Sequence, residues 1–108
     1  MADAYYTRYG IDFVWDDNKN QANIKKHGVS FQTAAQVFED EFRIEFLDDL
    51  HSVQEMRYIT IGLVHDVLTV VYCEHENAET STEELRIISA RRATKIEIDA
   101  YNNNLLGR

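Results

Sequence analysis

The chain has 108 residues, 44% of them hydrophobic and 28% charged, with a formal net charge of −8 at pH 7. This length suits one globular domain with a single core, and the composition is not that of a disordered chain. No stretch approaches the roughly 20 apolar residues that a membrane span needs, and the first residues do not resemble a secretory signal. Cys73 is the single cysteine, which fits a reducing compartment. We therefore expect a cytoplasmic protein that does not bind membranes.

The charge is distributed unevenly along the sequence. Residues 39–84 contain thirteen acidic and two basic residues, a net of −11, whereas the rest of the chain carries a net of +3. Within that remainder, residues 86–95 contain Arg86, Arg91, Arg92 and Lys95 and no acid. Such a molecule can present a basic groove to an anionic partner, although both charged regions can equally be solvated surface.

The first residues show no pattern of regular structure. Residues 1–10 contain three tyrosines without periodicity, and we expect a poorly ordered N-terminal extension there. A single domain is expected over residues 11–108. It begins with a strand, because Ile11, Phe13 and Trp15 alternate onto one face.

Two helices are predicted next. Asp16 or Asp17 can cap a helix over residues 18–27, and Gly28 is placed to end it in the left-handed conformation. Ser30 can cap the second helix. Its apolar stripe has helical spacing and consists of Phe31, Ala34, Ala35 and Phe38.

The period changes to two after Asp40, which predicts strands. Their expected ranges are 43–47, 57–63, 68–74 and 85–90. A C-terminal helix over residues 93–106 follows, with Ile96, Ala100 and Tyr101 as its expected buried side. The order β-α-α-β-β-β-β-α, with short connections between the later strands, predicts an α+β fold whose helices pack on an antiparallel sheet. The third and fourth of these later strands are apolar on both faces, so the C-terminal helix, a partner chain or both must cover the second face.

No metal or cofactor site is indicated by the sequence. The four histidines lack the spacing of a zinc site, and no glycine-rich phosphate loop is present. RNA cleavage needs neither, because the 2′-hydroxyl of RNA is itself a nucleophile. The enzyme must supply a base or orienting group, cations for the developing phosphorane charge, and an acid for the leaving oxygen. Candidate catalytic residues on or beside the predicted strands are Arg57, Tyr72, Glu74, Arg86, Arg91 and Arg92.

A second group of basic residues could contact phosphate. Lys25, Lys26 and His27 form a cationic end of the first helix, and Lys95 lies in the acid-free run, so we treat these four as candidate RNA-binding residues. An alternative explanation is helix termination, because basic side chains complement the negative end of the helix dipole. For the strand arginines and tyrosine, the alternative is a position at the sheet margin with the charge paired to a nearby acid.

Three separate segments together resemble a known family. The first is Phe13-Val-Trp-Asp16 with Lys19, Asn23 and Lys26-His-Gly-Val-Ser-Phe31. The second is Arg57-Tyr-Ile-Thr-Ile-Gly62 with Val70-Val-Tyr72. The third is Arg86-Ile-Ile-Ser-Ala-Arg-Arg-Ala-Thr94 with Glu97 and Tyr101. In this order they resemble the BrnT toxin family. Residues 1–10 lie outside the pattern, and the acidic loop over residues 75–84 is longer than the turn expected there.

The resemblance implies a RelE-like fold and a ribonuclease that arrests translation by cleaving RNA. It also implies a small cognate antitoxin of the BrnA type, expected to be a ribbon-helix-helix protein that dimerises and binds operator DNA. The resulting complex would contain two toxins and two antitoxins, with the toxin reaching DNA only through its partner. The alternative is a non-catalytic toxin-like module that holds the antitoxin and acts as co-repressor. Convergence of Arg57, Arg86 and Arg91 or Arg92 in one concave site would favour the enzyme.

Overall fold

One mixed sheet organises the part of the chain that the computed structural model describes, residues 3–52 and 55–106. Its strands are β1 (Asp3–Arg8), β2 (Ile11–Asp16), β3 (Ile44–Leu47), β4 (Arg57–Leu63), β5 (Val67–Glu76) and β6 (Glu83–Arg92). They lie in the order β1-β2-β6-β5-β4-β3. The neighbouring strands β2 and β6 are parallel, and each other neighbouring pair is antiparallel. The α+β class and the mostly antiparallel sheet are confirmed.

The predicted helices are present, with the predicted caps. They are α1 (Asp17–His27), α2 (Phe31–Ala35), which continues as a 3-10 helix over Gln36–Glu39, and α3 (Lys95–Leu106). A second 3-10 helix spans Asp49–His51. The Asp16 carboxylate accepts from the first backbone amides of α1, Gly28 ends that helix at φ 72°, and the Ser30 hydroxyl accepts from Thr33 N. Short polar side chains at these positions satisfy amides that a helix leaves unpaired.

The expectation of a poorly ordered extension over residues 1–10 is wrong for residues 3–8, which form β1, whereas Met1 and Ala2 lie outside the described residues. β1 and β2 form a hairpin whose turn residues, Tyr9 and Gly10, both have positive φ, 55° and 76°. Tyr6 packs on the Trp15 ring with centroids 5.8 Å apart. The sequence does not predict this hairpin because a tyrosine stands where such turns normally carry asparagine or glycine. In addition, the partly buried side of β1 consists of Ala4, Tyr6 and Arg8, which do not form a continuous apolar stripe.

The core lies between the sheet and the first two helices. Apolar side chains of β2, β5 and β6 pack there against Val29, Phe31, Ala34 and the 3-10 helix residues Val37 and Phe38. Asn23 ties α1 to the sheet, since its amide nitrogen donates to Val29 O and Ala90 O, both at 2.8 Å. We call this side of the sheet the helical face, and the opposite side the outer face.

The C-terminal helix covers one end of the outer face. Glu97 of α3 accepts hydrogen bonds from Thr69 and Arg91 there, and Tyr101 is 3% exposed. The predicted buried side of α3 is wrong at Ile96, which is 82% exposed, and at Ala100, which is exposed. The polar contacts of Glu97 orient the helix, and apolar spacing alone could not reveal them.

Candidate active site

A row of side chains crosses the outer face from one sheet edge toward the other. The strand register pairs Tyr5 with Val14, Val14 with Arg86, Arg86 with Cys73, and Cys73 with Arg57. We call these five residues the cross-sheet row. Neighbouring strands are about 4.8 Å apart, so the Arg57 and Arg86 backbones are about 10 Å apart. The two arginines therefore share one face, with Cys73 between them.

Each arginine of the row has an acidic neighbour. Arg86 Nη2 donates to Asp3 Oδ2 at 2.9 Å, and this hydrogen bond raises the pKa of Arg86 and lowers that of Asp3. Arg57 Nε lies 3.8 Å from Glu55 Oε1, and within the described residues it makes no hydrogen bond. Burial raises the pKa of the Cys73 thiol, so this cysteine is not prepared to act as a thiolate nucleophile.

The same face also carries a histidine that we did not select from the sequence. His75 follows Cys73 by two residues on β5, so its side chain lies on the outer face, and it is exposed. Histidine is the side chain that most often performs general acid–base catalysis. The period of two along β5 was the signal that could have found it. In the sequence, we considered His75 only as a possible metal ligand.

The other two predicted arginines do not join the row. Arg91 lies on the outer face, but it donates to both carboxylate oxygens of Glu97, at 2.7 and 3.0 Å. It therefore serves to hold α3. Arg92 pairs in register with the core residue Leu68 and so belongs to the helical face. Its side chain is 71% exposed and lies 3.3 Å from Asp66.

Tyr72 and Glu74 also point to the helical face. The Tyr72 hydroxyl donates to Glu45 Oε1 at 2.7 Å, and burial together with this hydrogen bond raises the pKa of Tyr72. Both residues line a pocket of about 350 Å³ that also contains Arg43, Glu45, Glu83 and Glu84. An acid-rich pocket repels phosphate, so the structure separates these two residues from the arginines with which they were grouped.

The candidate RNA-binding lysines lie elsewhere too. Lys25, Lys26 and His27 occupy the last turn of α1, which packs on the helical face, and so they fit the role of complementing the helix dipole. Lys95 begins α3 and makes an ion pair with Asp99 at 3.4 Å. None of the four belongs to the cross-sheet row.

The described residues, 3–52 and 55–106, contain no cluster of three or more His, Cys, Asp or Glu side chains that could hold a metal ion. They also contain no helix with the length and apolarity needed to cross a membrane.

The fold and the site define a small α+β domain with a cationic row on the outer face of its sheet. The chain belongs to the BrnT family, described as the ribonuclease toxin of a type II toxin–antitoxin system, whose family model matches residues 15–97. This confirms the resemblance carried by the three sequence segments, and it implies a cognate antitoxin as partner. No curated protein matches the chain significantly. Most of β2 and all of β1, including Tyr5 and Asp3, precede the matched residues.

Proposed function

We propose that this chain is an active, metal-independent endoribonuclease whose reaction takes place on the outer face, between Arg57 and Arg86. The observation that carries the proposal is the register that sets both arginines on one face, on either side of Cys73. The backbones of the two arginines are about 10 Å apart. Their guanidinium groups can converge on one phosphate, because each side chain is long and only partly buried. They would stabilise the additional negative charge of the phosphorane.

The reaction would proceed by attack of an RNA 2′-oxygen on the adjacent phosphorus. The new bond closes a 2′,3′-cyclic phosphate, the bond to the 5′-oxygen breaks, and that oxygen takes up a proton. The 2′-hydroxyl loses one proton, so one group must accept a proton and one must donate it. We assign one of these transfers to His75, which is exposed on the same face. Asp3 must leave Arg86 before phosphate can replace it.

Metal independence is proposed from the residues available. The described part of the chain places Arg57 and Arg86 in one row on this face and contains no cluster of metal ligands. Positioned cations can replace a metal as the electrostatic component of catalysis. Of the arginines whose convergence would favour the enzyme, Arg57 and Arg86 share the row, whereas Arg91 and Arg92 do not join it. The non-catalytic alternative, a co-repressor module, is less favoured because it would not require two arginines to share one face with a histidine.

The biological setting is part of the same proposal. We place the enzyme in the cytoplasm, where cleavage of RNA would arrest translation. Its antitoxin is proposed to be a ribbon-helix-helix protein of the BrnA type that joins two toxins in a 2:2 complex and connects them to operator DNA. The acidic segment 39–84 supports a basic partner, since opposite charges speed association.

The test is RNA cleavage by the purified chain, freed of antitoxin, in the presence of EDTA. We expect cleavage to persist, and Arg57→Ala and Arg86→Ala each to reduce it by roughly 10²–10³-fold. Arg92→Ala is the matched control, because Arg92 lies on the same strand as Arg86 but on the opposite face. It should retain activity within a few-fold, as should Lys25→Ala. Loss of cleavage in EDTA with recovery in Mg²⁺ would contradict metal independence. Wild-type cleavage by Arg86→Ala would contradict the site.

A further inference from the structure

A second, smaller pocket adjoins the cross-sheet row. It has a volume of about 170 Å³ and lies between the β1–β2 hairpin and the turn that joins β5 to β6. Tyr5, Thr7, Asp12 and Glu84 line it, together with residues of that turn. Tyr5 and Glu84 connect it to the proposed active site, since Tyr5 is the first member of the row and Glu84 precedes Arg86 by two residues on the same face.

Glu84 provides an accessible carboxylate in this pocket. It is 5% exposed, and its charge acts on Arg86, two residues further along the strand. It also lines the larger pocket of the helical face. Its carboxylate oxygens are not among the buried side-chain atoms that lack a partner, so they remain accessible. The neighbouring Asp12 carboxylate already accepts a hydrogen bond of 2.7 Å from Thr7. Oxygens that stay open at the wall of a pocket can accept hydrogen bonds from a ligand bound there.

Tyr5 gives the pocket an aromatic rim. Its side chain is 66% exposed, and its register partner Val14 is in turn paired with Arg86. Exposed aromatic rings beside cationic groups are typical of surfaces that bind single-stranded RNA, because each unpaired base can stack on a ring while arginine holds the phosphate.

We propose that this pocket binds one base of the RNA substrate and prefers guanine, with Tyr5 stacking on the base and Glu84 accepting its hydrogen bonds. The inference rests on the ribonuclease function proposed above and adds a specificity site to it. An ionised carboxylate only accepts hydrogen bonds. Guanine presents two adjacent donors, N1–H and the 2-amino group, which match the two oxygens of a carboxylate. Uracil presents one N–H between two carbonyl oxygens, and these oxygens would repel the carboxylate.

The family assignment does not itself provide a preference for guanine. Tyr5 precedes the matched residues 15–97, and the turn on the other side of the pocket belongs to the long acidic loop noted in the sequence. A lysine or arginine of a protein partner could also meet Glu84. The stacking rim and the position beside Arg86 favour a base.

The experiment measures kcat/KM for RNA hexamers of uridine that carry guanosine, inosine or no substitution at each position in turn. We expect guanosine at one position to raise kcat/KM by about 5- to 100-fold, with inosine, which lacks the 2-amino group, between guanosine and uridine. Glu84→Gln should remove most of this preference. Tyr5→Ala should reduce kcat/KM by about 5- to 100-fold, and Tyr5→Phe should retain it.

Tyr9→Ala is the matched control, because Tyr9 is an exposed tyrosine of the same hairpin that lies in the turn. Three results would each overturn the proposal: equal kcat/KM for all hexamers, a guanosine preference that survives Glu84→Gln, or equal effects of Tyr5→Ala and Tyr9→Ala. The proposal would also fail if Tyr5→Ala and Glu84→Gln lost antitoxin binding but kept unchanged cleavage, because this result would assign the pocket to the protein partner. If the wild-type chain cleaves no RNA, the proposed function fails together with this site. Cleavage without base preference overturns this site alone.

Discussion

Replacing Glu97 tests how α3 is held on the outer face. Its Oε1 accepts hydrogen bonds from Arg91 Nη1 at 2.7 Å, Thr94 N at 2.8 Å and Thr69 Oγ1 at 3.0 Å. Its own backbone amide donates to Thr94 Oγ1 at 3.3 Å. Thr94 and Glu97 thus form a capping box at the start of the helix, and the same carboxylate joins that cap to two strands.

The magnitude follows from the pKa of Glu97. The hydrogen bond from Arg91, with smaller contributions from Thr94 and Thr69, lowers this pKa from 4.5 to about 2. Such a shift corresponds to at most roughly 3 kcal/mol of stability at neutral pH. Because the Arg91 side chain is 40% exposed, solvent screens part of the interaction, and we expect Glu97→Gln to lower the free energy of unfolding by about 2 kcal/mol.

Urea denaturation across pH provides the assay. A carboxyl whose pKa is lower in the folded state stabilises the protein above its unfolded pKa, and this stabilisation disappears as pH falls through the folded value. The difference between wild type and Glu97→Gln should therefore be complete above about pH 5 and shrink steadily toward pH 2. Asp99→Asn, on the same helix and in an exposed ion pair with Lys95, should cost less than about 0.5 kcal/mol. A Glu97→Gln difference that is negligible at pH 7, or the same at pH 7 and pH 2.5, would refute this reasoning.

Three further predictions concern the core and the outer face. Asn23→Ala should lower the free energy of unfolding by about 2–4 kcal/mol in urea denaturation, because it leaves the buried Ala90 amide and carbonyl unsatisfied; a loss below 1 kcal/mol would be inconsistent with this. Asp3→Asn weakens the competitor for Arg86 and should lower the KM for RNA by up to about fivefold, and a raised KM would show that Asp3 assists binding instead. His75→Gln should reduce kcat by about 10²–10⁴-fold with little change in KM, and unchanged single-turnover rates would remove His75 from the mechanism.

The location of the site gives the N-terminal hairpin a role in the enzyme. Asp3 holds Arg86, and Tyr5 borders the proposed base pocket. Both belong to β1, which precedes the residues matched by the family model. Arg57, Cys73 and Arg86 of the cross-sheet row lie within the matched residues, whereas the proposed base preference would depend on β1 and on the turn between β5 and β6.

Local interactions explain why much of the fold was predictable from the sequence. The caps at Asp16, Gly28 and Ser30 act within a few residues of the helices that they begin or end. The alternation of β4 made its bounds predictable, since residues 57–63 were expected and Arg57–Leu63 was found. The family was also recognisable, because its three segments occur in order along the chain.

Long-range pairing decided which candidates share a site. Arg57, Tyr72 and Arg86 are chemically plausible as one group in the sequence, but a change of one residue in a strand reverses the face of a side chain. Tyr72 therefore points into the core, while Cys73 lies between the two arginines on the outer face. Likewise, Arg91 lies on the outer face but is engaged by Glu97, because α3 packs on that part of the sheet. The sequence by itself determined most of the elements, the helix caps at Asp16, Gly28 and Ser30, and the family. Only the tertiary structure determined the cross-sheet row and the pocket beside it, because both depend on register between strands distant in the chain.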